Sequence, residues 1–566
     1  MAKQQTSPFM KEINKLVGQA LVSLVNMQRA RSPKEDVDYV QFTLPPTMPI
    51  LPDNRNLIEQ RLLGKSPLSI YAFGQALERI AETASIAGIV LALPNFAMGL
   101  ADLQTLRDHI VKFRQSGKRV IAYAQTYDMG NYLIASAADT IWLQFGGVVM
   151  TTGLLRQQVF LKNALEAVGL EADVVAVTPF KSAADQLSRT EPSPESAAQT
   201  NWLMDSEYNI LLTTIANGRG KTPDDIRAMV DNAPYTDLEA VEQGFVNALT
   251  NEEGFSKHLN NADLLTWEQT DSQLPIKVQF DDEQIAVLPL VGTIVNGSSA
   301  NPPVDIPIPL VGGQRMGDVT VVQQVREIMK NDSIKAVVLY INSPGGSSSA
   351  SEAIVSALEE LAKTRPVVVV MGDVAASGGY YIATCADWII AQHGTITGSI
   401  GVVLAKLITN DMLKKLRFNP FLYLRGQNAT IFSSTEKFTD AQRDKMRDSI
   451  LRVYDVFVQR VADARKKKVD EVDAIGGGRV WTGQQAFENG LVDQLGGLEE
   501  GIAKARQLAH LPSTTPVKIF RMQQKQPLVA QLAEKVDPAA AVRYWFTGIN
   551  ALANGQTLYL VDYEWR

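Results

Sequence analysis

The sequence predicts an α/β protein built from one unit used twice. The first observation behind this is an internal repeat. Ala87–Asn95 matches Lys335–Ser343, Val120–Gln125 matches Val368–Asp373, and Tyr132–Asp139 matches Tyr380–Asp387, all at an offset of 248 residues. Farther on, Tyr235–Val246 matches Trp481–Val492 at an offset of 246. Collinear matches over such a length are the signature of a duplicated unit. The second observation is the pattern inside each copy. Short strands apolar on both faces, such as Ala336–Ile341 and Val367–Met371, alternate with amphipathic helices such as Ser351–Thr364. A sheet covered on both faces by helices gives that alternation.

Composition agrees with this and excludes other classes. The chain has 566 residues, 45% of them apolar and 20% charged, which suits a core-forming protein rather than a disordered one. Its net charge of −7 argues against a general nucleic-acid binder, which needs a basic stripe. The single cysteine, Cys385, excludes an internal disulfide framework and a thiolate metal cluster. No spacing of His, Asp and Glu suggests a metal site, and no cofactor is expected. The chain has four histidines: His109, His258, His393 and His510.

Along the chain, apolar residues from Phe9 to Val25 recur every three or four positions. That spacing predicts one amphipathic helix from about Pro8 to Arg29 within a leading segment 1–38. Such a helix packs on the body, packs between subunits or lies on a membrane surface. No apolar run reaches the ~20 residues of a membrane-spanning helix. The first copy is assigned to 39–265 and the second to 266–511, with a boundary near 260–280. A Pro/Gly/Ser-rich stretch, Asn296–Gly313, reads as a long loop inside the second copy. The tail 512–566 carries an apolar stretch at Leu528–Leu532 and aromatic residues at Tyr544, Trp545, Phe546, Tyr559, Tyr563 and Trp565. It is expected to dock on the body or on a neighbour.

A duplicated fold needs its core twice but a reacting group only once, so matched positions that differ sharply are informative. Ser377 is opposed by Met129 in the first copy, and Lys181 is opposed by Ala429 in the second. Ser377 lies in Ala375-Ala-Ser-Gly-Gly379, between an apolar strand and an apolar helix. It reads as a nucleophile beside free backbone N–H groups, or as an ordinary helix N-cap. The Gly-x-Ser-x-Gly elbow is absent, since Ala375 stands two residues before Ser377. Asn342-Ser-Pro-Gly-Gly346 either turns a backbone N–H into the site or forms a plain turn. Ser399, in Thr397-Gly-Ser-Ile-Gly401, either bonds a reacting group or closes a turn. Lys181 sits among small and apolar neighbours. It can act as a base only if burial lowers its pKa; otherwise it is a solvated surface lysine. His393 has no acidic orienter and reads as a surface residue. Gly218-Arg-Gly-Lys-Thr222 is rejected as a phosphate loop, because it joins two helices and lacks the first glycine.

Taken jointly, Asn342–Gly346, Met371–Tyr380, Thr397–Gly401, Val480–Ala486 and Asn489–Asp493, with Phe180–Ala183 in the first copy, resemble signal peptide peptidase A (protease IV) in its long tandem form. The resemblance covers roughly residues 39–511. It implies tandem Clp-protease/crotonase-like α/β domains and a serine–lysine dyad, with Ser377 as nucleophile and Lys181 as general base. It further implies that Ser399 orients the lysine, that Gly346 and Gly378 donate to the oxyanion, and that the protein is a homotetramer acting on peptides. Long members of the family usually begin with a membrane-spanning anchor. None is found here, so the expected location is peripheral on a membrane or cytoplasmic. The expected function is a serine endopeptidase for unfolded apolar peptides such as signal-peptide remnants. The alternatives are a crotonase-like acyl-CoA enzyme and an inactive membrane-associated scaffold.

Overall fold

A computed structural model describes residues 8–31, 36–53, 66–276, 281–300, 313–521 and 557–560. Three sheets organise them. In the first, the strand order is Tyr235–Thr236, Thr140–Val149, Arg119–Tyr127, Gly88–Ala92, Tyr39–Thr43, Leu264–Thr266, with Ala248–Leu249 also beside Thr140–Val149. In the second, it is Val480–Thr482, Ile396–Gly398, Val367–Ala376, Ile334–Ser343, Gln284–Val291, Val517–Ile519. Trp388–Ala391 also lies against Val367–Ala376 there. The central strands of both sheets pair in parallel, as expected for strands buried on both faces.

The repeat is structural down to single hydrogen bonds. The Asp139 carboxylate accepts from the Val120 N–H, and the Asp387 carboxylate from the Val367 N–H, each at 2.8 Å. The Tyr132 hydroxyl donates to the Phe245 carbonyl at 2.9 Å, and the Tyr380 hydroxyl to the Leu491 carbonyl at 2.8 Å. Thr236 and Thr482 each open a helix with a capping box, completed by Glu239 and Gln485. A polar group buried in a core must find its partner, so these pairs persist in both copies.

The copies are not separate bodies. One core cluster joins Leu103 and Leu106 of the first copy to Val338, Val370 and Ile502 of the second. The third sheet also crosses between them, in the order Arg315–Gly317, Thr293–Val295, Gly345–Ser347, Thr557–Leu560, Val403–Ile408, Glu171–Ala176. Its last pair runs antiparallel in unbroken register from Val403 opposite Ala176 to Ile408 opposite Glu171. The second sheet reaches past Leu511 to Val517–Ile519, beyond the expected end of the second copy.

The expected leading helix is present as Pro8–Arg31. Its C-terminal end is tied to the body: the Asn26 side chain exchanges hydrogen bonds with the Ile276 backbone, and Arg29 donates to the Asp271 and Leu274 carbonyls. Among its described side chains, Leu16, Leu21 and Leu24 are each at least 60% exposed. Among the described residues, no helix is long and apolar enough to cross a membrane. The Pro-rich segment 301–312 and the tail aromatics other than Tyr559 lie outside the described residues.

Two acidic groups meet where the copies join. Asp373, at the end of a second-copy strand, faces the start of first-copy helix Leu100–Arg114 and accepts from the Asp102 N–H at 3.1 Å. Any side chain at Gly99 would overlap that carboxylate. The carboxyls of Asp102 and Asp373 are both pushed up by burial, and Asp102 is pushed up further by the neighbouring Asp373 charge. Asp373 receives the helix-start N–H groups that favour a carboxylate, so Asp102 is the one that keeps a proton. A carboxyl whose folded pKa is raised stabilises fully below its unfolded pKa, and that contribution is lost as pH rises through the folded value. Asp102→Asn keeps the neutral shape. Its thermal midpoint should therefore rise relative to the parent as pH goes from about 5 to about 8. A pH-independent difference between the two would refute the shared proton.

Candidate active site

Ser377 ends the strand Val367–Ala376 and precedes helix Gly378–Ala383. Its backbone has φ 55° and ψ −113°, an uncommon conformation for a residue with a side chain. The Ser377 N–H donates to the Gly398 carbonyl at 2.8 Å, and the Ser377 carbonyl accepts from Tyr381 N–H at 2.8 Å. The backbone is thus held at both ends. The side chain makes no capping bond to its helix, which removes the N-cap reading. The matching helix of the first copy, Met129–Ala135, is closed by an ordinary capping box between Asp128 and Asn131.

Lys181 comes to Ser377 from the other copy. Strand Glu171–Ala176 pairs with Val403–Ile408, and the chain then turns through Thr178 and Phe180. Phe180 N–H donates to the Gly477 carbonyl at 3.2 Å. Its ring lies 5.4 Å from the Trp202 ring and 4.2 Å from the Arg479 guanidinium. Trp202 stacks on Trp481 and donates to the Val480 carbonyl at 3.0 Å. Gly478 has φ +87°, and a side chain there would overlap the Lys181 backbone. These contacts fix the lysine backbone, and the side chain runs inward past Gly401.

The amine then meets three oxygens. Lys181 Nζ lies 2.6 Å from Ser377 Oγ, 2.8 Å from Ser399 Oγ and 3.0 Å from the Ser399 carbonyl oxygen. Lys181 is 4% exposed and Ser377 0%. Burial lowers the Lys181 pKa well below the ordinary lysine value. A neutral amine has two N–H donors and one lone pair. The two acceptors on Ser399 can take both donors, which leaves the lone pair for the Ser377 O–H. Ser399 has φ 52°, the left-handed turn that presents its carbonyl and hydroxyl to one amine.

Two glycines border the serine. Gly346 has φ +152°, and a side chain on it would overlap the Ile294 carbonyl. A side chain on Gly378 would meet Ser351 Oγ at 2.8 Å and the Gly345 backbone at 3.2 Å. Three backbone segments therefore converge beside Ser377. The first N–H groups of a helix have no partner within it, so the start of Gly378–Ala383 offers donors there. His393 is exposed and has no part in this cluster. Gly218–Thr222 spans the end of helix Pro194–Arg219 and the start of Pro223–Asp231, as its rejection as a phosphate loop required.

The family model for Peptidase family S49 matches twice, over residues 112–264 and 359–512. The chain belongs to peptidase family S49. A Clp protease model also matches over 314–389 of the second copy, in keeping with the tandem Clp-protease-like fold. Among similar proteins is a chloroplastic serine protease SPPA of Arabidopsis thaliana, 28% identical over 81% of this chain and 68% of that protein. Protease 4 of Haemophilus influenzae is 30% identical, over 79% of this chain and 74% of its own length. Protease 4 of Salmonella typhi is 33% identical, over 78% and 72%. This S49 chain is a tandem-domain serine peptidase by family.

Ser377, Lys181 and Ser399, drawn from separate stretches of sequence, meet at one point in this S49 chain, with Gly346 and Gly378 beside them. Sequence reasoning missed the parts that hold Lys181: the Gly477–Gly478 turn, Trp202, Arg479 and the cross-copy strand pair. The only available signal was that Val480-Trp-Thr belongs to the motifs of the resemblance. A displacement of about 1 Å at a reacting group costs about 100-fold. Gly478→Ala should therefore lower kcat/KM by about two orders of magnitude with an unchanged circular dichroism spectrum. Gly220→Ala, also at positive φ but with open space around it, is the control. Equal activity in both variants would show that the lysine turn is not critical.

Proposed function

We propose that this S49 chain is an endopeptidase in which Ser377 is the nucleophile and Lys181 the general base. The observation that carries this is the 2.6 Å contact between Ser377 Oγ and a buried lysine amine whose pKa burial depresses. The neutral amine takes the Ser377 proton as Oγ attacks a peptide carbonyl, and Ser399 keeps the amine aimed. The N–H groups of Gly346 and Gly378 receive the negative oxygen of the tetrahedral intermediate. The ammonium then protonates the leaving amine, and water hydrolyses the acyl-enzyme by the reverse path. The substrates are unfolded apolar peptides, such as remnants of signal peptides. Strands Gly345–Ser347 and Val403–Ile408 flank one extended strand, Thr557–Leu560, against helix Gly378–Ala383, a slot whose geometry suits an extended peptide. The exposed apolar residues Leu416, Phe418, Phe421 and Tyr423 favour assembly with further copies, for which a homotetramer is the reading. The exposed Leu16, Leu21 and Leu24 of helix Pro8–Arg31 favour peripheral contact with a membrane.

Ser377→Ala and Lys181→Ala should each lower turnover of an unstructured peptide by roughly three or more orders of magnitude. The double variant should be barely worse than either single, and additive losses would sink the dyad. A serine-directed phosphonate should label Ser377, which a crotonase-like acyl-CoA enzyme or an inert scaffold would not allow. Because the base must be neutral, kcat/KM should rise with pH up to the depressed Lys181 pKa and then level. A profile rising only near the ordinary lysine pKa of about 10.4 would overturn the depressed pKa on which the dyad rests.

A further inference from the structure

The segment 476–480 serves both halves of the site. On one side the Gly478 N–H donates to the Ile400 carbonyl at 2.8 Å, and the Arg479 carbonyl accepts from the Ser399 N–H at 2.7 Å. On the other side the Gly477 carbonyl accepts from the N–H of Phe180, the residue before Lys181. One short turn therefore fixes the Ser399 turn and the Lys181 backbone together. Gly477 and Gly478 have φ of 63° and 87°, and the turn has no helix or strand of its own to hold it. Its foot is Tyr454, 8% exposed, on helix Asp440–Arg465. The Tyr454 oxygen accepts from the Gly477 N–H at 3.1 Å, and the hydroxyl donates to the Asp473 carboxylate. These two bonds depend on each other. A phenol oxygen can accept from Gly477 only if its own hydrogen points elsewhere, and Asp473, on helix Val469–Ile475, draws that hydrogen away. The charged groups acting on Tyr454 are Asp473 and Arg479, and the latter donates to the Gly476 carbonyl at 3.2 Å. The same helix grips the strand that leads to Lys181. About three turns before Tyr454, Arg443 bonds the Asp173 carboxylate at 2.5 Å and the Val174 carbonyl at 2.9 Å.

We infer that Tyr454 is a positioning residue for the dyad: its hydroxyl, aimed by Asp473, holds the Gly477–Gly478 turn and thereby sets where Lys181 Nζ stands against Ser377 and Ser399. The inference rests on reading the site as a Ser377/Lys181 peptide hydrolase. Without the hydroxyl, the buried Gly477 N–H loses its partner, and the turn shifts to find another. The lysine backbone moves with it. The amine then admits water, and its pKa rises toward the ordinary lysine value. Strands Gly345–Ser347 and Val403–Ile408 take no part in these bonds, so the loss falls on kcat and not on KM.

The test uses the full chain and an unstructured reporter peptide. Tyr454→Phe keeps the ring and removes the hydroxyl. A shift of about 1 Å costs about 100-fold, so about half that shift predicts kcat lower by about tenfold, with KM unchanged. The rising limb of the pH–rate profile should move to higher pH, so that part of the loss is recovered in alkaline buffer. Asp473 is exposed, so its variants spare the core. Asp473→Leu frees the hydroxyl to turn and should reproduce both effects. Asp473→Asn keeps an acceptor and should lose less than Asp473→Leu. Tyr454→Phe combined with Asp473→Leu should be no worse than Tyr454→Phe alone, because the two side chains act as one unit. Tyr132→Phe is the control. It removes a buried hydroxyl bond in the first copy, 2.9 Å to the Phe245 carbonyl, and should lower the thermal midpoint without moving the limb. An active parent with unchanged kcat and an unmoved limb in Tyr454→Phe would overturn the inference and leave the hydrolase standing. A loss in Tyr454→Phe that matches Tyr132→Phe at every pH would overturn it as well. A parent that neither cleaves the peptide nor is labelled by a serine-directed phosphonate would overturn the hydrolase reading and the inference with it.

Discussion

The site depends on keeping one amine away from water and away from opposite charge. A solvated lysine stays protonated at neutral pH and has no lone pair to offer. A carboxylate beside it would hold the proton more firmly still. Lys181 is buried, and its polar partners are the Ser377 hydroxyl, the Ser399 hydroxyl and the Ser399 carbonyl. These partners satisfy the amine without adding charge, so nothing cancels the downward shift that burial imposes. The rest of the architecture makes that burial possible. The cross-copy strand pair brings the lysine in, the Gly477–Gly478 turn lets its backbone come close, and the Phe180, Trp202 and Trp481 rings close the layer above.

Duplication explains how one chain can carry such a costly group. A buried lysine and a serine in strained backbone both oppose folding, the latter by about 1–3 kcal/mol. Each copy carries only one of them. Where the second copy has Ser377, the first has Met129, the first residue of a helix closed by the Asp128 capping box, which typically stabilises a helix by about 1 kcal/mol. The second copy gives up that cap, and its side chain is left facing Lys181 instead of its own helix. The shared core through Leu106, Val370 and Ile502 ties the two burdens into one folding unit.

This logic separates what could be read from the sequence from what could not. The α/β class and the repeat were legible because each copy needs the same core and the same buried polar pairs, such as Tyr132 with Phe245 and Tyr380 with Leu491. Ser377 and Lys181 stood out because their counterparts, Met129 and Ala429, lack their chemistry. For Ser399 and Gly346 the residues alone left a turn and a site role equally open, the resemblance implied the site role, and the fold brings both beside Ser377 and Lys181. The pairing of Glu171–Ala176 with Val403–Ile408 was hidden, since strand partners so distant in sequence are chosen by tertiary approach and not by local pattern. Asp102 and Asp373 were hidden for a related reason. Each alone reads as an ordinary acid at the end of an element, and only the join between the copies buries them together. Thr557–Leu560 is too short and too plain to announce a partner.

The convergence of backbones at Gly346 has one further consequence. The strand that would hold a peptide and the amides that would hold its oxyanion belong to the same few residues, because Gly345–Ser347 borders the slot on one side and touches Gly378 on the other. Side chains alternate along a strand, so a slip of one residue turns every side chain of a bound peptide to the opposite face. A peptide seated here therefore cannot adjust its register freely to bring a chosen carbonyl to Ser377. Whichever alternation of side chains the two faces of the slot accept also decides which bond lies over the serine. Under the endopeptidase reading, the register of the bound strand therefore sets which bond is presented to Ser377.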